Sequence, residues 1–288
     1  MHVKFDQEYH FQIHHNKVAV LEWGDPQAEP ILCLHGWLDN AATFHYLAPF
    51  LADKYRLIAI EFPGHGQSEH LSEDADYQFV SGISIIDGAL DVLKIEKCHI
   101  LGHSMGAALA MIYAGAAPHR VKSLISIDAL GPFISTPEQT IEQLAQAIEQ
   151  RKAKRSQKRY FNSIEDAANA RAQVSELSAE TLLPLIERGV TLCDRGYQWS
   201  SDARLKNASW IRMTEPQLEA LMNNVTAEVL FIRGKQGMLQ EKAAIEKRLS
   251  FLNSSEWIDL DGGHHLHMQY PEEVSQAILK FWAKFNQD

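Results

Sequence analysis

A serine between two glycines is the first candidate for covalent chemistry in this sequence. Residues 100–115 read ILGHSMGAALAMIYAG, so Gly102, Ser104 and Gly106 form a G-x-S-x-G pattern between a strand-like and a helix-like run. A sharp turn from strand to helix leaves no room for side chains beside the serine, and the strained turn exposes its hydroxyl. The following helix adds free N–H groups at its start. Ser104 is therefore a predicted nucleophile, and a plain glycine turn capped by the serine is the alternative.

Three histidines near the carboxyl end could act as the base for such a serine. In GGHHLHMQYPEEV, residues 262–274, they are His264, His265 and His267. The glycine pair lets the chain turn, so that a following ring can point over the end of a sheet. His267 lies where the last helix begins, which favours a packing or capping role. Other histidines, such as His14, His15 and His45, lack the paired spacing of metal ligands, and no metal site is predicted.

An acidic residue is also needed, because it would orient the base and stabilise its charged form. The apolar run KSLISIDALGP, residues 122–132, contains Asp128 at its end. A carboxylate at the end of a buried strand needs a partner, since uncompensated burial of a charge is expensive. Asp128 is therefore the predicted acid, with capping of the following turn as its alternative role. Asp39 could cap a helix, and Asp259 and Asp261 precede the histidines so closely that reaching back to a ring is awkward.

Short apolar runs that end in glycine-containing turns alternate with longer amphipathic runs through most of the chain. The runs are PILCLHG, YRLIAIEFPG, CHILGHS and SLISIDALG before residue 132, and AEVLFIRG and SEWIDLDGG after residue 225. This alternation predicts an α/β fold with a mostly parallel central sheet flanked by helices. Functional groups collect beyond the carboxyl ends of such strands, and neighbouring strands lie about 4.8 Å apart. A carboxylate that ends one strand can therefore reach a loop that follows its neighbour.

Residues 132–222 interrupt this alternation with a polar, helically periodic stretch that has no convincing strand. We predict a helical cap there, inserted into a core of residues 1–131 and 223–288. Thr136 and Pro137 form a good helix start. The basic run RKAKRSQKR, residues 151–159, is typical of a solvated helix face, with an RNA or anionic-membrane patch as the alternative. Tyr197 and Trp199 could line the mouth of a pocket or pack inside the cap.

The composition of the chain bears on its domain size, its partners and its cellular location. The chain has 288 residues, of which 45% are hydrophobic, enough for one large domain with a sizeable core. A net charge of −10 argues against a nucleic-acid partner. Cys33, Cys98 and Cys193 are widely spaced, which favours a cytoplasmic location over a disulfide framework. Residues 1–15 lack the apolar core of a secretory signal, and no stretch predicts a membrane span.

Four motifs resemble those of the α/β-hydrolase superfamily. HGW at residues 35–37 resembles its oxyanion loop, EFPGHGQS at 61–68 its turn after the next strand, GHSMG its nucleophile elbow, and GGHHLHMQYPEEV its histidine loop. They occur in the family's order and cover the chain outside residues 132–222. The chain is most similar to the serine hydrolase-like branch, through HGWLDNAATF, IDALGP and a glycine after the later strand. Glu61 departs from the family's usual aspartate, and the turn at residues 234–237 lacks the usual acid.

The resemblance implies a serine hydrolase of the carboxylesterase type. His264, directly after the glycine pair, would be the base, and Asp128 would be the acid, moved one strand inward from the usual position. The backbone N–H groups of Trp37 and Met105 would form an oxyanion hole. His35 is expected to shape the oxyanion loop.

The expected substrate is a small-molecule ester, attacked without a metal or organic cofactor. Substrate contacts are expected from His103, Tyr197 and Trp199. The same machinery attacks thioesters, amides and carbon–carbon bonds beside a ketone, so these are alternative substrates. A binding protein that kept the fold without catalysis is the alternative from another class.

Overall fold

The computed structural model describes residues 5–153 and 159–284. These residues form the following strands: β1 (Gln7–Ile13), β2 (Asn16–Trp23), β3 (Glu29–Leu34), β4 (Tyr55–Ile60), β5 (Cys98–His103), β6 (Val121–Ile127), β7 (Tyr160–Phe161), β8 (Val190–Cys193), β9 (Gly196–Trp199), β10 (Glu228–Gly234) and β11 (Ser255–Leu260). Eight of them form the central sheet, in the order β1-β2-β4-β3-β5-β6-β10-β11. The pairs β1–β2 and β2–β4 are antiparallel, and all other neighbours in this sheet are parallel. The predicted, mostly parallel α/β sheet is therefore confirmed.

Helices cover both faces of the sheet. They are α1 (Ala48–Leu51), α2 (Gly82–Val92), α3 (Met105–Ala116), α4 (Thr140–Lys152), α5 (Ile164–Ala172), α6 (Ala179–Gly189), α7 (Glu215–Asn223), α8 (Lys242–Leu249), α9 (Leu266–Gln269) and α10 (Pro271–Trp282). Alternate residues of β3 serve the two faces: Leu32 and Leu34 pack in the cluster with α2 and α3, whereas Ile31 and Cys33 pack in the cluster with α1 and α10. Burial on both faces explains why the parallel strands are continuously apolar.

The segment between β6 and β10 contains both helices and a small sheet. Its strands β7, β9 and β8 form an antiparallel sheet in that order, apart from the central sheet. The predicted cap helices are present as α4, α5 and α6, but the expectation that the segment has no strand is wrong. β8 and β9 form a hairpin with a two-residue turn, and Gly196 after that turn has a φ of +103°. Sequence periodicity missed these strands because they are short and only partly buried.

The expected boundary between cap and core at residue 222 falls inside α7. Leu218 and Met222 of this helix belong to the core cluster beside α3. A Cβ at Gly115 of α3 would lie 2.3 Å from the Leu221 carbonyl oxygen, so the two helices pack backbone against backbone. Helix α7 is therefore packed as part of the core.

The two described ends of the basic run make intramolecular contacts. Arg151 Nε is 2.9 Å from an Asp76 carboxylate oxygen, and its guanidinium lies 4.1 Å from the centre of the Trp210 ring. The Arg159 guanidinium lies 5.1 Å from the ring of Phe161. Residues 154–158, with the other part of the predicted basic face, lie outside the described residues. Within residues 5–153 and 159–284, no helix combines the length and apolar character that crossing a bilayer requires.

Candidate active site

The turn from β5 to α3 holds Ser104 in a strained backbone conformation. Its φ and ψ angles are 52° and −115°, and a non-glycine residue rarely adopts a positive φ. A Cβ at Gly102 would lie 2.5 Å from Ala107 Cα, and a Cβ at Gly106 would lie 2.1 Å from the Leu34 carbonyl oxygen. Close backbone packing therefore requires both glycines of the G-x-S-x-G pattern. Strain of this kind is concentrated at functional sites.

His264 lies beside Ser104, in the loop that follows β11. Its Nε2 is 2.9 Å from Ser104 Oγ. The loop turns at Gly262, which has a φ of +128°. A Cβ at Gly263 would lie 2.5 Å from Glu176 Cγ, so the second glycine leaves room for a neighbouring side chain. Only 17% of the His264 side chain is exposed.

Asp128 contacts the ring nitrogen of His264 that does not face Ser104. Its Oδ2 is 2.6 Å from His264 Nδ1. The same carboxylate accepts hydrogen bonds from the backbone N–H groups of Met238 at 2.8 Å and Gly234 at 3.2 Å. Because the carboxylate is an acceptor, Nδ1 of the neutral imidazole carries the proton, and Nε2 can accept the proton of the Ser104 hydroxyl. The structure thus brings together the three side chains that the sequence proposed.

The missing acid after β10 has a steric explanation. A Cβ at Gly237 would lie only 2.3 Å from Asp128 Oδ1. Since β6 and β10 are neighbours, the Asp128 carboxylate occupies the space that a side chain at Gly237 would need. The other candidate acids have different partners: Asp259 pairs with Arg233, and Asp261 pairs with Lys235.

The loop after β3 runs directly against the start of α3. The space for a Cβ at Gly106 is closed by the carbonyl oxygens of Leu34 and His35, at 2.1 and 2.8 Å. Met105 is the first residue of α3, so its backbone N–H has no acceptor within the helix. Trp37 follows in the same loop, and its indole Nε1 donates to the Leu205 carbonyl oxygen at 3.0 Å. The two segments expected to supply oxyanion donors are therefore adjacent.

His35 shapes this loop, as expected. It is fully buried. Its Nε2 accepts a hydrogen bond from the backbone N–H of Phe62 at 3.1 Å, so its Nδ1 donates to the Gly36 carbonyl oxygen at 2.7 Å. Burial lowers the pKa of His35, although neighbouring acids oppose this effect. The neutral ring thus fixes the β3 loop against the loop after β4.

The structure shows other contacts for the three residues that were expected to contact substrate. His103 has no exposed surface, and its Nε2 donates to the His264 carbonyl oxygen at 2.9 Å. Burial, together with the surrounding histidines, holds the pKa of His103 well below its usual value. Tyr197 and Trp199 pack against the hydrophobic cluster of the inserted segment. The expectation for His103 is wrong because the residue before the serine points into the protein. For the two aromatics, the structure favours the alternative of packing inside the cap.

His265 joins two carboxylates that the sequence did not connect. Its Nε2 is 3.1 Å from Asp39 Oδ2, and its Nδ1 is 2.9 Å from Oε1 of Glu176, in the inserted segment. Burial opposes a charge on His265, but the two carboxylates outweigh it and raise its pKa to about 9. The hydrogen bond to His265 is the main cause that lowers the pKa of Glu176 to about 2. No sequence signal pointed to Glu176, because its partners are distant along the chain.

His267 is buried and packs beneath the site. Its Nε2 is 2.7 Å from Thr43 Oγ1. This contact agrees with the packing role that its position favoured. Neither His265 nor His267 therefore competes with His264 for the place beside Ser104.

A buried ion pair ties the inserted segment to the core. Arg188 in α6 contacts both carboxylate oxygens of Glu61, through Nε at 2.6 Å and Nη2 at 3.2 Å. Glu61 also accepts hydrogen bonds from the backbone N–H groups of Ala41 and Gln67. The glutamate that departs from the usual aspartate thus reaches a partner in the inserted segment.

Residues 29–271 match the alpha/beta hydrolase fold family, and the chain belongs to that family. Serine hydrolase-like protein 2 of Homo sapiens is 30% identical over 284 residues, covering 92% of this chain and 90% of the relative. The serine hydrolase-like protein of Danio rerio is 29% identical over 282 residues, covering 90% and 83%. These relatives place the chain in the serine hydrolase-like branch, as a hydrolase.

Two solved structures are similar over nearly the whole chain. A hypothetical protein from Pseudomonas aeruginosa PAO1 has 33% identity and a TM-score of 0.90, covering 96% of this chain and 99% of the other. The thioesterase domain from the curacin biosynthetic pathway has 25% identity and a TM-score of 0.85, covering 95% and 99%. The eight-stranded sheet with its flanking helices is thus the α/β-hydrolase fold.

Proposed function

We propose that this protein is a carboxylesterase-type serine hydrolase that uses Ser104, His264 and Asp128 as a catalytic triad. The observation that carries the proposal is the unbroken row of two short contacts. Ser104 Oγ lies 2.9 Å from His264 Nε2, and His264 Nδ1 lies 2.6 Å from Asp128 Oδ2. This order of atoms is what proton transfer from a serine through a fixed imidazole requires.

In this mechanism Ser104 Oγ attacks the ester carbonyl carbon while its proton moves to His264 Nε2. Asp128 holds the imidazole and stabilises the imidazolium that forms. The backbone N–H groups of Trp37 and Met105 would donate to the oxyanion. His264 then returns the proton to the departing alcohol. Water attacks the acyl-enzyme with the same base, which releases the acid and restores the serine.

The inserted segment without helix α7, residues 132–214, would act as the cap that limits access to Ser104. Three contacts support this role: Arg188 with Glu61, Glu176 with His265, and the Asn40 side-chain amide, which donates to the Leu185 carbonyl oxygen at 2.8 Å. They fix the segment to loops at the carboxyl edge of the central sheet. Such a cap determines which acyl and alcohol groups can enter.

Labelling with a fluorophosphonate probe, followed by peptide mapping, tests the nucleophile directly. We expect the label on Ser104, and we expect Ser104→Ala to lose both labelling and ester turnover. The strained φ of Ser104 is a reason to confirm by circular dichroism that the variant folds. Label on another serine, with Ser104→Ala still active, would contradict the proposal.

A thioesterase is the second candidate, favoured by the 25% identity and TM-score of 0.85 to the curacin thioesterase domain. The same triad attacks both ester classes, so the contacts at Ser104 do not separate them. Matched oxygen esters and thioesters of one acyl group would, because only the leaving group differs. A kcat/KM more than tenfold higher for the oxygen ester supports the esterase. The reverse ratio supports the thioesterase.

A binding protein without catalysis is the alternative from another class. It predicts an Asp128 that points away from His264, whereas the contact between them is short. Amide substrates and carbon–carbon bonds beside a ketone belong in the same substrate panel. Absence of turnover for every member, with Ser104 unlabelled, would favour the binding protein.

A further inference from the structure

A second group of polar side chains lies buried behind His264. Asp39 comes from the loop after β3, His103 from the end of β5, and His265 from the histidine loop. One donor atom from each lies within 4.8 Å of the others, and all three residues are buried. Asp39 Oδ2 is 3.1 Å from His265 Nε2 and 3.7 Å from His103 Nδ1. Ligands about 2.0–2.2 Å from a tetrahedral zinc ion are roughly 3.3–3.6 Å apart, so each of these two distances would change by only a few tenths of an ångström.

In both imidazoles, the ring nitrogen that points away from Asp39 makes a hydrogen bond that fixes the orientation of the ring. His103 Nε2 donates to the His264 carbonyl oxygen at 2.9 Å, and His265 Nδ1 donates to Glu176 Oε1 at 2.9 Å. In the neutral ring of His103, the lone pair of Nδ1 therefore faces Asp39, whereas His265 Nε2 donates to Asp39 Oδ2 until its proton is released. Metal-binding histidines are held in this way by a carbonyl or carboxylate on the far side of the ring.

His103 Nδ1 gives an independent indication of a missing partner. Within the described residues this atom is buried and has no hydrogen-bond partner. Its lone pair and Asp39 Oδ2 are two acceptors that face one another, which is unfavourable in a buried site. A Cβ at Gly36 would lie 2.9 Å from both atoms, so the glycine keeps the space beside them open. A cation there would satisfy both acceptors.

We propose that Asp39, His103 and His265 bind one zinc ion that fixes the loop after β3 to the histidine loop. Two imidazoles and one carboxylate are a ligand set that zinc accepts. Binding releases the Nε2 proton of His265 to solvent, while Glu176 keeps its bond to Nδ1. Arg171 Nη2 lies 3.5 Å from Oδ1, the second carboxylate oxygen of Asp39, which leaves Oδ2 for the ion. Water completes the coordination.

The proposed role is structural, and it is independent of the proposed esterase activity. The three ligands join the segment that contains Trp37 to the segment that contains His264. Ligands from three separated segments also explain why the sequence has no paired metal-ligand spacing.

The metal content of the untagged full chain, expressed with added zinc, tests the site. After extensive desalting, we expect inductively coupled plasma mass spectrometry to find about one zinc ion per chain. His103→Gln keeps a donor near the Nε2 position but removes the Nδ1 ligand, and it should lower the zinc content at least tenfold. His99→Gln is the matched control, because His99 lies on the same strand but bonds to Ser123. It should retain the zinc.

Two further measurements test zinc binding by the wild-type protein, in case the His103 variant fails to fold. Zinc at about 100 times its Kd should raise the Tm of the metal-free wild-type protein by roughly 5 °C. Cobalt in place of zinc should give the intense visible absorption of a tetrahedral site. Wild-type protein without retained zinc and without a Tm change overturns the proposal. So does equal zinc content in a folded His103→Gln variant, or the weak absorption of octahedral cobalt.

Discussion

Replacing Asp128 by asparagine removes one charge and almost no volume, so it isolates the contribution of the carboxylate. The amide nitrogen must take the place of one oxygen. At Oδ2 it would face the N–H of Met238 and donate to His264 Nδ1, which selects the wrong imidazole tautomer. At Oδ1 it would face the N–H of Gly234, 3.2 Å from the present oxygen, and leave the imidazolium without a counter-charge. Either arrangement impairs His264 as the base.

The expected loss in kcat is roughly 10⁴-fold, as for the same change in the serine-protease triad, or about 5.4 kcal/mol in the activation barrier. One backbone N–H also loses its acceptor, which should lower the free energy of unfolding by about 1–3 kcal/mol. Turnover of a chromogenic ester measures the first effect, and urea denaturation measures the second. Asp261→Asn is the control, because Asp261 is exposed and contacts Lys235. A folded Asp128→Asn variant with a near-normal rate would falsify the triad.

Moving the acid to its usual strand gives a second test of the same reasoning. Gly237 does not have a positive φ, so its backbone conformation is one that a residue with a side chain can adopt. The obstacle is the Asp128 carboxylate, 2.3 Å from the position of a Cβ at Gly237. We expect Asp128→Ala with Gly237→Asp to be at least tenfold more active than Asp128→Ala alone. Gly237→Asp alone should be destabilised, and equal activity of the double and single variants would contradict the steric account.

Three further changes probe the cap and the serine turn. Trp199→Ala should lower the free energy of unfolding by about 2 kcal/mol, less than for a fully buried aromatic, and leave the ranking of an ester panel unchanged; a changed ranking would assign the indole to the pocket. Gly106→Ala should lower kcat/KM at least ~100-fold, because its Cβ would lie 2.1 Å from the Leu34 carbonyl oxygen. Wild-type kcat/KM would refute that packing. Glu61→Gln should lower the free energy of unfolding by about 3 kcal/mol in urea denaturation, since it leaves the buried Arg188 with Glu8 as its remaining carboxylate partner; an unchanged midpoint would show that the pair contributes little.

The sequence by itself determined the local features of this protein. Apolar runs and glycine turns predicted the parallel sheet, because strands buried on both faces need continuous apolar residues. The G-x-S-x-G pattern predicted the turn at Ser104, since that geometry excludes larger neighbours. Asp128 was identifiable because a carboxylate at the end of a buried strand needs a partner. Each of these inferences depends on residues that are neighbours along the chain.

Only the tertiary structure decided which distant residues meet. Gly237 explains the position of the acid, but its distance to Asp128 follows from the pairing of β6 with β10. The ion pair of Glu61 with Arg188 and the contact of His265 with Glu176 join the inserted segment to the core. Periodicity also missed the small sheet, because its strands are short and only partly buried. Contacts of this kind depend on how separate segments pack, and no local sequence pattern encodes that packing.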